Sequence, residues 1–317
     1  MLFYKVKEDN TVSIYRAFGE NGIVDIPDTI DGYTVTEIEE YCFAASSRVD
    51  IDEKDIPDNC HVQAGEFVEL VRLPDTISKI GRNAFYNCRK LEEIKLSGNI
   101  EEIGGDIFMN CINLSRIILR CNLKNRTCLK QILSQISWSV EVEFEGKGID
   151  AVLFYPEYFE VYDEIGPAHI FELNISGEGF RIRQCFQDGV LRFDEYDGSF
   201  PQACAEEPTG NLVKMAVNRI AYPYDLTNSN SNMYVAFLKE HTEDIIKLIF
   251  RADMDKEKQL HYITKLAYNN CFSADDMNSM IEKASADGLA ELSVNLLKIK
   301  SELFKNDTKS RYSFEDF

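Results

Sequence analysis

The sequence predicts an α+β multidomain chain: a repeat solenoid with parallel strands, a small mixed middle module and a C-terminal helical array. Three observations carry that prediction. A pattern of apolar and turn positions recurs at one fixed spacing near the N-terminus. Residues 150–210 concentrate acid and aromatic side chains together, and from 211 onward apolar residues fall at helical spacing.

The repeat is legible residue by residue. LPDTISKIGRNAFYNCRKLEEIKL, starting at Leu73, overlays LSGNIEEIGGDIFMNCINLSRIIL, starting at Leu96. Ile80 then matches Ile103, Gly81 matches Gly104 and Phe85 matches Phe108, all at an offset of 23. Asn87 and Cys88 match Asn110 and Cys111, and Leu91 matches Leu114. An earlier copy, IVDIPDTIDGYTVTEIEEYCFAAS, repeats the Pro-Asp-Thr turn at Pro27 and places Ile38 and Phe43 at the positions of Ile80 and Phe85. It carries an insertion around Asp31-Gly32, and Val49–Gly65 is read as one degenerate coil.

This I-P…I-G…A-F…C…L pattern, over residues 20–120, resembles the BspA-like leucine-rich repeats of bacteria. The resemblance implies a right-handed leucine-rich repeat solenoid with one strand per coil in a parallel sheet. It also brings in secreted surface proteins, common in that family. The N-terminal MLFYKVKEDNTVSIYRAFGENG lacks the apolar core and cleavage site of a signal, so the expectation is a cytoplasmic protein. A surface adhesin is the alternative if a leader has been removed.

One coil is too small to bury its own apolar side and must stack on its neighbours. In LEEIKL, Leu91, Ile94 and Leu96 are expected inside, with Glu93 and Lys95 outside. Gly81 and Gly104 are expected at sharp turns with positive φ. Stacking in register then lines up two outward columns, Leu70-Glu93-Arg116 and Arg72-Lys95-Ile118. From Ile107 to Val140 there is no acidic residue, whereas Arg116, Arg120, Lys124, Arg126 and Lys130 supply five cations. The columns together with Arg120, Lys124 and Arg126 are the candidate partner-binding residues. The acidic middle of the same chain is the first expected counterpart of the basic island, before an acidic protein or a phosphate-bearing ligand. A helix over Thr127–Ile136 and a strand over 140–145 are expected to cap the solenoid, which sets the first domain at 1–146.

The middle module, 147–210, is expected to be a small packed α+β unit. Its residues 150–210 hold 13 acidic side chains against three arginines, and 11 aromatics, too many for a disordered acidic tail. Glu157, Glu160, Asp163 and Glu164 are spaced so that some would share a helix face, as paired carboxylates do, and are read as a solvated face. Asp194, Glu195 and Asp197 before Gly198 faintly resemble a calcium loop, without its closing Glu. Arg181, Arg183 and Cys185 alternate as in a strand, which pairs the arginines with acids and raises a reactive thiolate at Cys185 as a minor reading.

The third domain, 211–305, reads as helices, with Leu212, Met215, Ala216 and Ile220 on one side. Thr242 and Asp255 are expected N-caps, and Ser273 with Asp276 a capping box. Met277 and Met280 are assigned to the core, Asp287-Gly288 to a turn, and Leu289, Leu292, Leu296 and Leu297 to the last helix. This last pair resembles an ankyrin-type helix pair. Residues 306–317 read as a disordered tail.

The net charge of −20, from 34 basic and 54 acidic residues, argues against a nucleic-acid binder or a protein held on anionic lipid. No apolar run approaches the ~20 residues that span a bilayer. Nine cysteines without a CxxC pair fit reduced, mostly buried thiols. No phosphate loop, nucleophile elbow, zinc-protease or dinucleotide fingerprint occurs, so no catalytic, cofactor or metal residue is assigned. The four histidines, at 61, 169, 241 and 261, are too dispersed to argue a metal site. The expected role is protein–protein interaction or scaffolding through the solenoid sheet face. The rival is an enzyme with a site in 150–225. The partner and the oligomeric state are not assigned.

Overall fold

The computed structural model describes residues 1–46, 56, 58–165 and 170–304, the side chains of 165, 170 and 171 excepted. The tail expected at 306–317 lies outside the described residues, as does the degenerate coil up to residue 57, Ile56 apart. The chain forms two compact units, Met1–Glu207 and Pro208–Phe317. The stretch read from sequence as a middle module thus belongs almost entirely to the first unit.

That unit opens with the antiparallel pair β1 (Leu2–Val6) and β2 (Thr11–Gly19). The chain then winds between two sheets through β3 (Ile23–Asp25), β4 (Thr29–Ile30), β5 (Tyr33–Ile38), β6 (His61–Val62), β7 (Leu70–Arg72), β8 (Lys79–Ile80), β9 (Glu93–Ser97), β10 (Glu102–Ile103) and β11 (Arg116–Arg120). One sheet runs β1-β2-β5-β8-β10, parallel from β2 onward. The other runs β3-β7-β9-β11, all parallel. Ile94 faces Ile117 and Leu96 faces Leu119 across β9 and β11, the offset of 23 seen in the sequence.

The inward positions behave as the alternation requires. Leu73, Leu91, Ile94, Leu96, Leu114, Ile117 and Leu119 are all buried between the sheets. Phe43, Phe85 and Phe108 form a column of rings at 5.1 and 5.5 Å between centroids, with planes 3° and 16° apart. Beside it, the Cys88 thiol donates to the Phe43 carbonyl at 3.1 Å and the Cys111 thiol to the Phe85 carbonyl at 3.0 Å. Each cysteine is thus a small apolar filler whose one donor is satisfied by the preceding coil.

The glycines have a different task from the one expected. Gly81 and Gly104 are not among the positive-φ residues; that conformation falls to Asn83, Asn87, Asp106 and Asn110, again at an offset of 23. Asn and Asp tolerate the left-handed region through local polar contacts. A Cβ on Gly81 would lie 2.4 Å from the Glu40 nitrogen, and one on Gly104 2.4 Å from that of Arg82. These glycines let successive coils touch backbone to backbone, and their N–H groups donate to Ile38 and Ile80 at 2.7 and 2.8 Å.

The solenoid is closed as the sequence suggests, with a shorter helix. α1 (Leu129–Leu133) buries Leu129, Ile132 and Leu133. Just after it, Gln135 accepts from the Ile107 N–H at 2.9 Å and donates to the Gly104 carbonyl at 3.1 Å, pairing backbone groups of the last coil. β12 (Val140–Glu145) pairs in parallel with β11, and β13 (Ile149–Tyr155) adds antiparallel to β12. The second sheet therefore continues past residue 146.

Beyond it come the hairpin β14 (Phe159–Ile165) and β15 (Ile170–Ser176), α2 (Gly179–Ile182), the short pair β16 (Phe186–Gln187) and β17 (Val190–Leu191), and α3 (Phe193–Glu206). Two expectations are corrected here. Glu160, Asp163 and Glu164 sit on a strand and Glu157 precedes it, so no helix face gathers them. Arg181 lies in α2 and Arg183 caps it, and at Gly179 the chain runs so close to Pro156 that a Cβ would meet its carbonyl at 2.2 Å.

The second unit holds α4 (Thr209–Ala221), α5 (Asn228–Glu240), α6 (Thr242–Ile249), α7 (Lys256–Tyr268), α8 (Ala274–Ala286) and α9 (Ala290–Leu303). Asp255 caps α7 by accepting from Glu257 and Lys258, and Ser273 with Asp276 forms the capping box of α8. Thr242 is the first residue of α6, not its cap; His241 holds that place with no side-chain bond. Met277, Met280, Leu292 and Leu296 are buried, whereas Leu297 is exposed. Gly288 turns the chain with φ of 72°.

Candidate functional site

Alternation along β7, β9 and β11 sends every second side chain away from the core, and the parallel register converts those side chains into rows. Leu70 stands opposite Glu93, Arg116 and Glu141; Arg72 stands opposite Lys95, Ile118 and Glu143. Both predicted columns are thus assembled, and β12 extends each by a glutamate.

The rows are laced by ion pairs of mixed sign. Arg116 lies between Glu93 at 2.6 Å and Glu143 at 2.7 Å, and Glu143 is buried. Burial opposes the charge on Arg116, but the hydrogen bond and charge of Glu143 prevail and hold its pKa above the usual value. Lys95 pairs with Glu145 at 2.6 Å, Arg72 with Asp25 at 3.1 Å, and Arg120 with Asp75 at 2.8 Å. The expected docking of the island on the acidic middle is therefore corrected for Arg116 and Arg120. Their carboxylates come from neighbouring coils and from the capping strand, because register puts those acids within reach first. Lys124, Arg126 and Lys130 are exposed and make no ion pair among the described residues, and the Arg126 stem packs on Gly189.

Exposure divides the face. Ser97, Ile118 and Glu143 are buried, and β13 is buried on both sides through Ala151, Val152, Leu153 and Phe154. The open part lies on β3, β7 and β9, where Asp25 and Arg72 are exposed and Leu70, Glu93 and Lys95 half-buried.

Other candidates dissolve or stay structural. Burial pushes the Cys185 thiol up to about 12, so it is no thiolate near neutrality. Asp194 sits in the first turn of α3, gripped by Arg192 at 2.8 and 3.0 Å, which lowers its pKa. No group of three His, Cys, Asp or Glu that could hold a metal occurs among the described residues. His261 bonds the Ala221 carbonyl at 3.1 Å and stacks on Tyr222, and burial lowers its pKa.

One feature escaped the sequence: an open groove of about 450 Å³ along β5, β8 and β10, floored by Gly81 and Gly104 and lined by Glu37, Glu40, Lys79, Arg82, Glu101 and Glu102. Lys79 spans it to Glu37 at 3.3 Å and Glu102 at 3.5 Å. The match of Lys79 to Glu102 at the repeat offset was the available signal.

Residues 54–137 match the family model of the BspA type leucine rich repeat region, in six copies. No curated protein matches the chain. Solved structures similar to it include a leucine-rich repeat protein from Bacteroides capillosus, 26% identical over 37% of this chain and 76% of that one, with a TM-score of 0.29. A second is the T. pallidum leucine-rich repeat protein, 21% identical over 39% of this chain and 71% of that one, at 0.20. A third is a leucine-rich repeat protein from Bacteroides ovatus, 17% identical over 38% of this chain and 48% of that one, at 0.20. By its 23-residue repeat, its stacked coils and the family match, the coiled part of this chain is a leucine-rich repeat solenoid of the BspA type.

Proposed function

We propose that the chain is an interaction or scaffold protein that holds another protein on the open part of its parallel sheet, with Leu70, Arg72, Glu93 and Lys95 in contact. Leucine-rich repeats generally serve protein–protein interaction, and solenoids offer continuous surfaces for it. The observation that carries the reading is the register of β3, β7 and β9, which sets these residues in one plane outside the core. Their charges are already balanced by neighbours, which favours a partner surface of mixed polarity over a single highly charged ligand. The nine free cysteines support a reducing compartment such as the cytoplasm.

Affinity capture from the native cell tests the reading, comparing the wild-type chain with the double variant Leu70→Asp/Arg72→Asp. The expected result is one or more proteins held by the first and lost by the second, with the melting temperature preserved. The same proteins on both chains, or none on either, overturns it.

A further inference from the structure

We propose that the β14–β15 hairpin is a second interaction element, an arm that docks into an apolar groove rimmed by lysine or arginine on another protein. Its two seven-residue strands pair only with each other among the described residues. Every described side chain from Phe159 to Glu164 and from Glu172 to Ser176 is exposed, on both faces of the ribbon. These include Phe159 at 57%, Val161 at 49%, Tyr162 at 66%, Leu173 at 43% and Ile175 at 38%. Tyr162 and Leu173 stand directly opposite each other. An isolated two-stranded ribbon has no core of its own and is marginal in water, so an apolar ribbon of this length gains its stability where something covers it.

The root of the arm, by contrast, is built to hold still. The buried Arg183 guanidinium donates to the carbonyls of Pro156, just before β14, of Gly179, just after β15, at 2.8 Å, and of Trp138 at 2.7 Å. It also lies over the Tyr155 and Tyr158 rings, at 5.8 and 5.2 Å from their centroids. Both legs of the hairpin are therefore tied to one buried cation.

Charge selects the occupant. Between Lys147 and Arg181 the sequence has no lysine or arginine, while Glu160, Asp163, Glu164 and Glu172 lie on the ribbon itself. Acidic edges of this kind repel a second copy of the same ribbon. They complement a cationic rim, whose charges would guide the encounter while Tyr162 and Leu173 fill the groove.

The test uses the full chain in its native cell with a photo-crosslinking amino acid at position 162, followed by mapping of the crosslinked peptides. The expected product joins position 162 to another protein, at a site flanked by lysines or arginines. A Glu160→Lys/Glu164→Lys change in the same chain should lower its yield at least about tenfold, and Glu160→Gln/Glu164→Gln by less. Crosslinks to a second copy, crosslinks to a surface without cations, or no crosslink at all would overturn the proposal. The sheet-face variant Leu70→Asp/Arg72→Asp is run alongside; a product unaffected by it separates the arm from the sheet-face reading.

Discussion

Arg120 reaches Asp75, Nε to Oδ1 2.8 Å, across the intervening strand that carries the buried Ser97. The same guanidinium donates to the Leu73 carbonyl. One side chain thus ties three successive coils together on the outer face of the sheet. Its neighbour Arg116 does likewise between Glu93 and Glu143. These two cations of the basic island are fasteners of the solenoid.

Substitution of these cations should therefore split the island in two. Arg116→Ala strands the buried Glu143 without its cation and should cost ~2–3 kcal/mol, below the ~3–5 kcal/mol of a fully buried broken pair because Arg116 is itself partly exposed. Lys124→Glu/Arg126→Glu should change stability by less than ~1 kcal/mol. Urea unfolding followed by circular dichroism checks both, and equal losses would refute the division.

The phenylalanine column makes a sharper demand. Phe85 touches a ring on either side, so Phe85→Ala opens a void within the stack and should cost ~3–5 kcal/mol. An unchanged melting temperature would contradict the shared core.

The repeat glycines can be tested against a neighbour. Gly81→Ala drives a methyl group into the Glu40 backbone and should destabilise by ~1–3 kcal/mol. Gly105→Ala meets nothing within 4 Å, and its φ is not positive, so the change should be neutral or slightly stabilising. If the first variant melts like the second, close coil contact is not what position 81 requires.

Buried thiols set an alkaline limit. Burial pushes Cys121, Cys128, Cys185 and Cys271 each up to about 12 from an ordinary 9.0. The unfolded chain loses these protons first, so above pH 9 it binds fewer protons than the native state and stability falls with rising pH. This contribution is complete below about pH 9 and lost progressively towards 12. Urea midpoints at pH 7, 8 and 10.5 should stay nearly level over the first interval and fall over the second. Iodoacetamide at pH 8 should label the exposed Cys204 in the native protein well before Cys185.

Ser273→Ala removes half of a reciprocal cap from α8 and should cost ~1 kcal/mol. Thr242→Ala should cost less, since Thr242 begins α6 without capping it. Thermal melts of the two variants give the comparison.

By itself the sequence determined whatever depends on local pattern. The offset of 23 settled which residues share a column, the alternation in LEEIKL settled which face the core, and Ser273-Asp276 marked a helix start. These follow from backbone periodicity and short-range hydrogen bonding, which act on every copy alike. Tertiary structure decided what depends on neighbours distant in the chain. The repeat marked Gly81 and Gly104 but not the close approach that requires them, because that distance exists only between stacked coils. Charge spacing revealed a basic island but not its owners, because Glu143 reaches Arg116 only when β12 docks beside β11. The acids after Glu157 suggested a helix face, yet side chains on a hairpin answer to the strand across from them, and spacing along one chain carries no record of that pairing.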